Sequence, residues 1–416
     1  MKEIFKGSFI IFIFKILGAS SLFLTYIMIP RYYGVEVFGV FNLIFALIMV
    51  GTVISRIGLD IYVIRVIPTL EDKEKEISLF LKSVLKILFI SSLLVTILVF
   101  LLSDTINQYL FKSIDATSYL MVLALMILPY TLFNVLVEVF RGLDDIKIYS
   151  FFRNLSQNGS IALLLAISIF FSLNFNPIYI LFTAIAIITT SLIFVLYKFL
   201  KKRNISIFEE GKYNDKILKH SYPMFLTASI MFLMGYVDSF MISYYLDEYQ
   251  VGIYGACISL SMIITFIPMA IGGYISPKVS QAYANKDKQK VKNIFKDSLK
   301  IIAITTLPVF LTILYFSDFF LGLFGAAFTV ASTTLIIVSV GFLSESLCGP
   351  VGFILNMTDN QHLFMKILVI SLLINIIFNA LLIPVYGING AAIALLLSML
   401  FWTVSSLIIL KVKDIV

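Results

Sequence analysis

Long apolar runs separated by short polar stretches organise this chain, with no sustained alternation of apolar and polar positions. Ser8–Ile29, Phe89–Leu102, Ile161–Leu173, Ile178–Leu196 and Ile367–Ile383 hold few or no charges. With their apolar flanks, such runs can cross a hydrocarbon core of about 30 Å as helices. Continuous rather than period-two apolarity argues against a β-barrel. Counting runs and polar breaks predicts twelve spans, near 8–29, 38–58, 79–102, 118–138, 149–172, 177–198, 217–243, 251–272, 298–316, 328–354, 363–384 and 388–410. The predicted class is an all-α polytopic membrane protein.

Composition and charge supply the orientation. The 416 residues are 60% hydrophobic and only 13% charged, with a mean hydropathy of +1.02. Soluble domains carry roughly 25% charged residues, so this chain needs lipid as solvent. An even span count puts both termini on one side. With both termini cytoplasmic, the external loops hold Arg31 and Lys112, and the other 31 − 2 = 29 basic residues fall in cytoplasmic loops, at cytoplasmic helix ends or, for Lys15, within a span. That asymmetry is the positive-inside pattern, and it predicts a multi-pass protein of the cytoplasmic membrane. The net charge of +7 then reflects contact with anionic membrane lipids, not nucleic acid. Lys15 interrupts what would otherwise resemble a signal-peptide core after Met1–Lys6, so the segment reads as the first span. Cys257 and Cys348 fall inside predicted spans, where they read as packing residues.

The chain repeats itself. "YYGVEVFGVFNL" from Tyr32 matches "YYLDEYQVGIYGA" from Tyr244, with Gly39 on Gly252, an offset of 252 − 39 = 213. "ISLFLKSVLKILFI" (Ile77–Ile90) matches "VKNIFKDSLKIIAI" (Val291–Ile304), placing Lys82 on Lys296 and Lys86 on Lys300. "EDKEKE" (Glu71–Glu76) falls on "NKDKQK" (Asn285–Lys290), and "GLDDIK" (Gly142–Lys147) on "NMTDNQ" (Asn356–Gln361), with Asp145 on Asp359. The charged stretch "KFLKKRNISIFEEGKYNDK" (Lys198–Lys216) lies between the copies. The organisation expected is a six-helix lobe over 1–199, a cytosolic linker over 200–216 and a second six-helix lobe over 217–416. Six spans per copy make this a parallel repeat, the arrangement of rocking two-lobed transporters.

"RIGLDIYVIRVIP" (Arg56–Pro68), "VFRGLDDIK" (Val139–Lys147), "VDSFMISYYLDEYQVGIYG" (Val237–Gly255) and "LLIPVYGINGAAIALLLS" (Leu381–Ser398) carry a family resemblance. They resemble segments of Wzx-type oligosaccharide-lipid flippases of the multidrug/oligosaccharidyl-lipid/polysaccharide exporter superfamily. The resemblance runs from the first span to the last. It implies a twelve-helix, two-lobed fold that exports polyprenyl-diphosphate-linked sugar repeat units for O-antigen- or capsule-like polymers, with polysaccharide assembly proteins as candidate partners. A drug or organic-cation exporter of the same superfamily is the rival reading, and it would favour an acidic, aromatic cavity where a diphosphate needs a basic one.

Charges inside spans mark candidate function. Lys15, about two turns into the first span, is a candidate diphosphate contact, with snorkelling to the headgroups as its structural alternative. Arg56, Lys86 and Arg153 lie near cytoplasmic ends of first-lobe spans and are candidate substrate contacts in a basic vestibule, or topology determinants alone. Arg56 and Asp60 are spaced to pair on one helical face, and Glu138 to pair with Arg141. Asn375 and Asn379, one turn apart, are candidate ligands of sugar hydroxyls or helix–helix contacts. Asp238 and Glu345, with Ser239, Ser344 and Ser346 as neighbouring oxygens, are candidate sites for a coupling proton or Na⁺. Pro129, Pro223, Pro268, Pro308 and Pro350 are expected to kink helices, and "GINGAA" (Gly387–Ala392) to pack closely.

Enzymatic readings are disfavoured. The sequence has no Walker loop, and His220 and His362 lack metal-ligand spacing. The longest external loop, Ser103–Thr117, holds only Asp104 and Asp115 as acids. No cofactor is expected beyond a coupling H⁺ or Na⁺.

Overall fold

The computed structural model describes residues 2–70, 74–205, 211, 213, 216–358 and 360–415, without the side chains of 2–9, 12, 223, 227, 228, 231, 277 and 284. Glu71–Lys73, Asp359, much of the 200–216 linker and the side chain of Pro223 therefore lie outside the described residues. The described chain is helical without strands. In order run α1 (Lys2–Tyr33), α2 (Val35–Arg56), α3 (Leu59–Val66), α4 (Lys75–Leu101), α5 (Ser103–Leu110), α6 (Thr117–Gly142), α7 (Ile146–Ser150), a π-helical turn (Phe151–Ser156), α8 (Gln157–Phe170) and α9 (Pro177–Lys202). Then follow α10 (Ile217–Tyr245), α11 (Glu248–Ser261), α12 (Phe266–Ala284), α13 (Lys288–Tyr315), α14 (Ser317–Gly322), α15 (Ser332–Leu347), α16 (Val351–Met357), α17 (Gln361–Tyr386) and α18 (Ile388–Val412). Ten segments among the described residues are long and apolar enough to cross a membrane. The other two predicted spans, 149–172 and 217–243, fall on α7 to α8 and on α10.

The helices differ from the expected spans where backbone chemistry, not apolarity, decides. The second span stops at Arg56, because Ile57 and Gly58 take left-handed conformations (φ 48° and 74°) before α3 begins. The eighth expected span ends at 272, yet the helix continues through a 3-10 turn at Met262–Thr265 to Ala284. The tenth expected span is broken. α15 ends at Leu347, Gly349 has φ 82°, and Pro350 precedes α16, where its missing N–H is tolerated. Pro129 and Pro308 sit inside α6 and α13, and Pro268 inside α12.

The chain forms two compact units, Met1–Phe232 and Leu233–Val416. In the first, α6 is the central helix, burying Tyr130, Phe133 and Phe140 among α2, α3, α4 and α9. In the second, α17 and α18 pack together most extensively, and α15 packs on α18. Gly390 makes that approach possible, since a Cβ there would overlap the Leu382 carbonyl. Element order repeats at the sequence offset: α4, α5 and α6 are matched by α13, α14 and α15, with Lys75 to Lys288 spanning 288 − 75 = 213 residues.

Candidate functional site

Each unit holds a polar cluster that includes a buried carboxylate, Glu138 in the first and Asp238 in the second. In the second unit the cluster centres on Asp238 of α10, which is only 5% exposed. Its Oδ1 accepts hydrogen bonds from Asn375 Nδ2 (3.0 Å) and Asn379 Nδ2 (2.7 Å), and its Oδ2 from Tyr254 Oη (2.9 Å). Asn379 Nδ2 also donates to Asn375 Oδ1 at 3.0 Å. α17 presents the two amides because they are four residues apart, and α11 supplies the phenol. Asn379 Oδ1 is buried and accepts no hydrogen bond among the described residues. Three neutral donors suit an ionised carboxylate. Turning the two amides instead presents oxygens, so the same side chains suit a hard cation or a proton on Asp238.

Asn375 and Asn379 thus sit on the predicted ion residue Asp238, rather than apart from it among the basic residues. Glu345 does not join them through any bond: it lies in the last turn of α15, half-buried, with no hydrogen bond or ion pair among the described residues. Ser344 and Ser346 donate to carbonyls of their own helix, Gly341 and Phe342, so they are not ligands of Glu345 here. Asp238 is served by amides and a phenol, not by Ser239. No charge or spacing in the sequence marks Tyr254, although it sits within the repeated segment around Gly252.

In the first unit, Tyr130, Asn134, Glu138 and Arg141 follow one face of α6. Tyr130 Oη donates to Gln157 Oε1 at 2.7 Å, and Asn134 Oδ1 accepts from Arg153 Nη1 at 3.0 Å. Glu138, with a side chain 6% exposed, lies 3.7 Å from Arg153 Nε and 3.9 Å from Arg141 Nη1. Arg56 Nη1 pairs with Asp60 Oδ2 at 2.9 Å, and its Nε donates to the Thr52 carbonyl at 3.3 Å. That pair spans the break between α2 and α3 instead of riding one continuous helix. The π-helical turn brings Arg153 to α6 and meets α1: a Cβ on Gly18 would overlap the Asn154 carbonyl, and Asn158 Nδ2 donates to the Gly18 carbonyl at 3.3 Å. Lys15 and Lys86 are exposed, without hydrogen bonds or ion pairs among the described residues. The candidate basic residues therefore separate into two arginines tied into the cluster, Arg56 largely buried and Arg153 partly exposed, and two exposed lysines.

Long apolar helices that hold buried carboxylates define a multi-pass membrane protein, and comparison with solved structures agrees. The fold resembles the lipid II flippase MurJ in an inward closed conformation, with a TM-score of 0.76 and 18% identity over 99% of this chain and 89% of that one. It resembles equally an inward-facing multidrug resistance MATE family transporter, with a TM-score of 0.76 and 15% identity over 95% of this chain and 94% of that one. The chain belongs to the polysaccharide biosynthesis protein family, whose profile matches residues 4–283. The MatE profile matches residues 223–381. A relative, the "Probable low-salt glycan biosynthesis flippase Agl15" of Haloferax volcanii, is 28% identical over 95% of this chain and 81% of its own length.

Proposed function

We propose that this protein is a flippase that moves polyprenyl-diphosphate-linked oligosaccharides from the cytoplasmic to the outer leaflet for surface polysaccharide assembly. The observation that carries the reading is the net charge of the polar cluster in the first unit. Arg56, Arg141 and Arg153 surround two carboxylates, Asp60 and Glu138, leaving one guanidinium in excess, and Arg141 and Arg153 keep 49% and 35% of their side chains exposed, open to a ligand. An accessible excess of cation beside a buried carboxylate suits an anionic diphosphate and opposes an organic cation. Family membership and likeness to a relative named as a glycan flippase support the same substrate class. Lys15 and Lys86 act in this reading as the exposed outer contacts of the headgroup.

Asp238 is the proposed coupling site, with Asn375, Asn379 and Tyr254 as the groups that hold H⁺ or Na⁺ beside it. Occupation there biases the alternation between inward and outward access. A vesicle assay tests both parts. Purified protein reconstituted with a fluorescent lipid-linked oligosaccharide should move it between leaflets, and Asp238→Asn should transport without responding to a proton or Na⁺ gradient. Absence of transport by the wild-type protein would sink the flippase reading. An unchanged gradient response in Asp238→Asn would sink the coupling site. The MatE match over the second unit favours a second reading, an ion-coupled drug exporter; its signature is ethidium efflux from vesicles that carry no lipid-linked sugar.

A further inference from the structure

Glu138 is buried without the hydrogen bonds that a buried carboxylate requires. Its side chain is 6% exposed, and Oε2 has no hydrogen-bond partner among the described residues. The nearest cations, Arg153 Nε at 3.7 Å and Arg141 Nη1 at 3.9 Å, lie beyond hydrogen-bond distance. A carboxylate held only by loose charge contacts is poorly compensated for leaving water.

The guanidiniums around it are unequally committed. Arg56 is bonded to Asp60 and to the Thr52 carbonyl, and its side chain is 11% exposed. Arg141 lies over the Tyr149 ring at 5.3 Å. Arg153 gives one hydrogen bond to Asn134, keeps 35% of its side chain exposed, and offers its remaining N–H groups to a newcomer. A diphosphate matches a guanidinium fork with paired oxygens and more charge than a carboxylate, so it competes well for Arg153. Once Arg153 turns to the phosphate, Glu138 keeps only Arg141 at 3.9 Å. A buried carboxylate that loses its cation takes a proton.

We infer that Glu138 is a resident counter-ion that occupies Arg153 until the substrate diphosphate displaces it, and that the released carboxyl takes one proton from water at the mouth through which the headgroup enters. The inference rests on the flippase reading above and names the arginine and the competitor within it. One ion pair is exchanged for another, and the single bond made is the carboxyl O–H, its proton given up by hydronium or buffer acid at the mouth, which keeps the buried charge balanced. The charged and titratable groups facing Glu138 are Arg56, Asp60, Arg141, Tyr149 and Arg153. Among them Glu138 is the carboxylate without a hydrogen bond, whereas Asp60 holds one from Arg56. Headgroup affinity should therefore rise as pH falls in the wild-type protein and lose that dependence in Glu138→Gln.

The test is calorimetric titration of the purified protein with geranylgeranyl diphosphate, repeated in buffers of different ionisation enthalpy. The wild-type protein should take up about one proton per ligand bound. Glu138→Gln should take up none and bind on the order of tenfold tighter, because the competing charge is gone. Arg153→Ala should lose binding in either background. Inorganic pyrophosphate should compete, and phosphatidylglycerol, with a single phosphodiester charge, should not. Equal competition by phosphatidylglycerol would make the cluster a general lipid contact and overturn the assignment. Wild-type binding without proton uptake, or equal affinity in Glu138→Gln, would overturn the exchange and leave the flippase reading standing. Failure of the wild-type protein to bind any diphosphate would remove both. The wild-type proton count decides the matter even if Glu138→Gln fails to fold.

Discussion

Asp115 shows how single residues hold the loops of this protein in place. Its Oδ1 accepts from the Thr117 backbone N–H at 3.0 Å and from Asn107 Nδ2 at 3.1 Å, closing the turn between α5 and α6. Bonds from Thr117, side chain first and then backbone, hold the Asp115 carboxyl below its ordinary range. A depressed carboxylate contributes stability above its unfolded pKa and loses it as pH falls through the lowered folded value. Amide protection across 105–118, taken relative to the intrinsic exchange rate at each pH, should hold at neutral pH and fall only below the ordinary aspartate range, whereas Asp115→Asn should lower it at neutral pH. At this scale the sequence showed pairs within one or two turns, such as Arg56 with Asp60, Glu138 with Arg141, and Asn375 with Asn379. It could not show Asp238 meeting Asn379, 141 residues away, because only the fold brings those groups together.

Two glycines fix elements rather than sites. Gly58 has φ 74°, and a Cβ there would overlap the Ser221 carbonyl where the start of α10 packs on the α2–α3 break. Gly58→Ala should lower stability by more than about 1 kcal/mol, since strained backbone and steric overlap act together. Gly18→Val should lower it by roughly 1–3 kcal/mol by pushing α1 off the π-helical turn. Thermal unfolding in detergent measures both, and a Tm equal to wild type in either variant would refute the packing argument. Helix identity was legible because long apolar runs leave few alternatives in lipid. Helix continuity was not, since Ile57–Gly58 and Cys348–Pro350 interrupt runs whose average apolarity barely changes.

At the scale of the whole molecule, the repeat duplicates the framework and not the chemistry. At an offset of 213 the positions of Asp238, Asn375 and Asn379 are taken by Thr25, Ala162 and Ala166. The charge distribution predicts both termini on the cytoplasmic side, so single cysteines placed at Lys112 and Lys288 should label from opposite faces of intact cells; labelling from one face would refute the orientation. The π-helical turn at Phe151–Ser156 marks the same asymmetry, because α17, its counterpart in sequence, runs uninterrupted from Gln361 to Tyr386. A wide turn holds one residue more than the helix around it needs. Deleting Leu155 should let the turn relax to α-helix and swing Arg153 by about 100° relative to α8, away from Glu138 and Asn134. If the halves descend from one duplicated gene, a single codon then re-aims the side chain at position 153 relative to its counterpart at the same offset, Lys366. The lineage of this family should carry that codon's gain or loss together with changes at position 138.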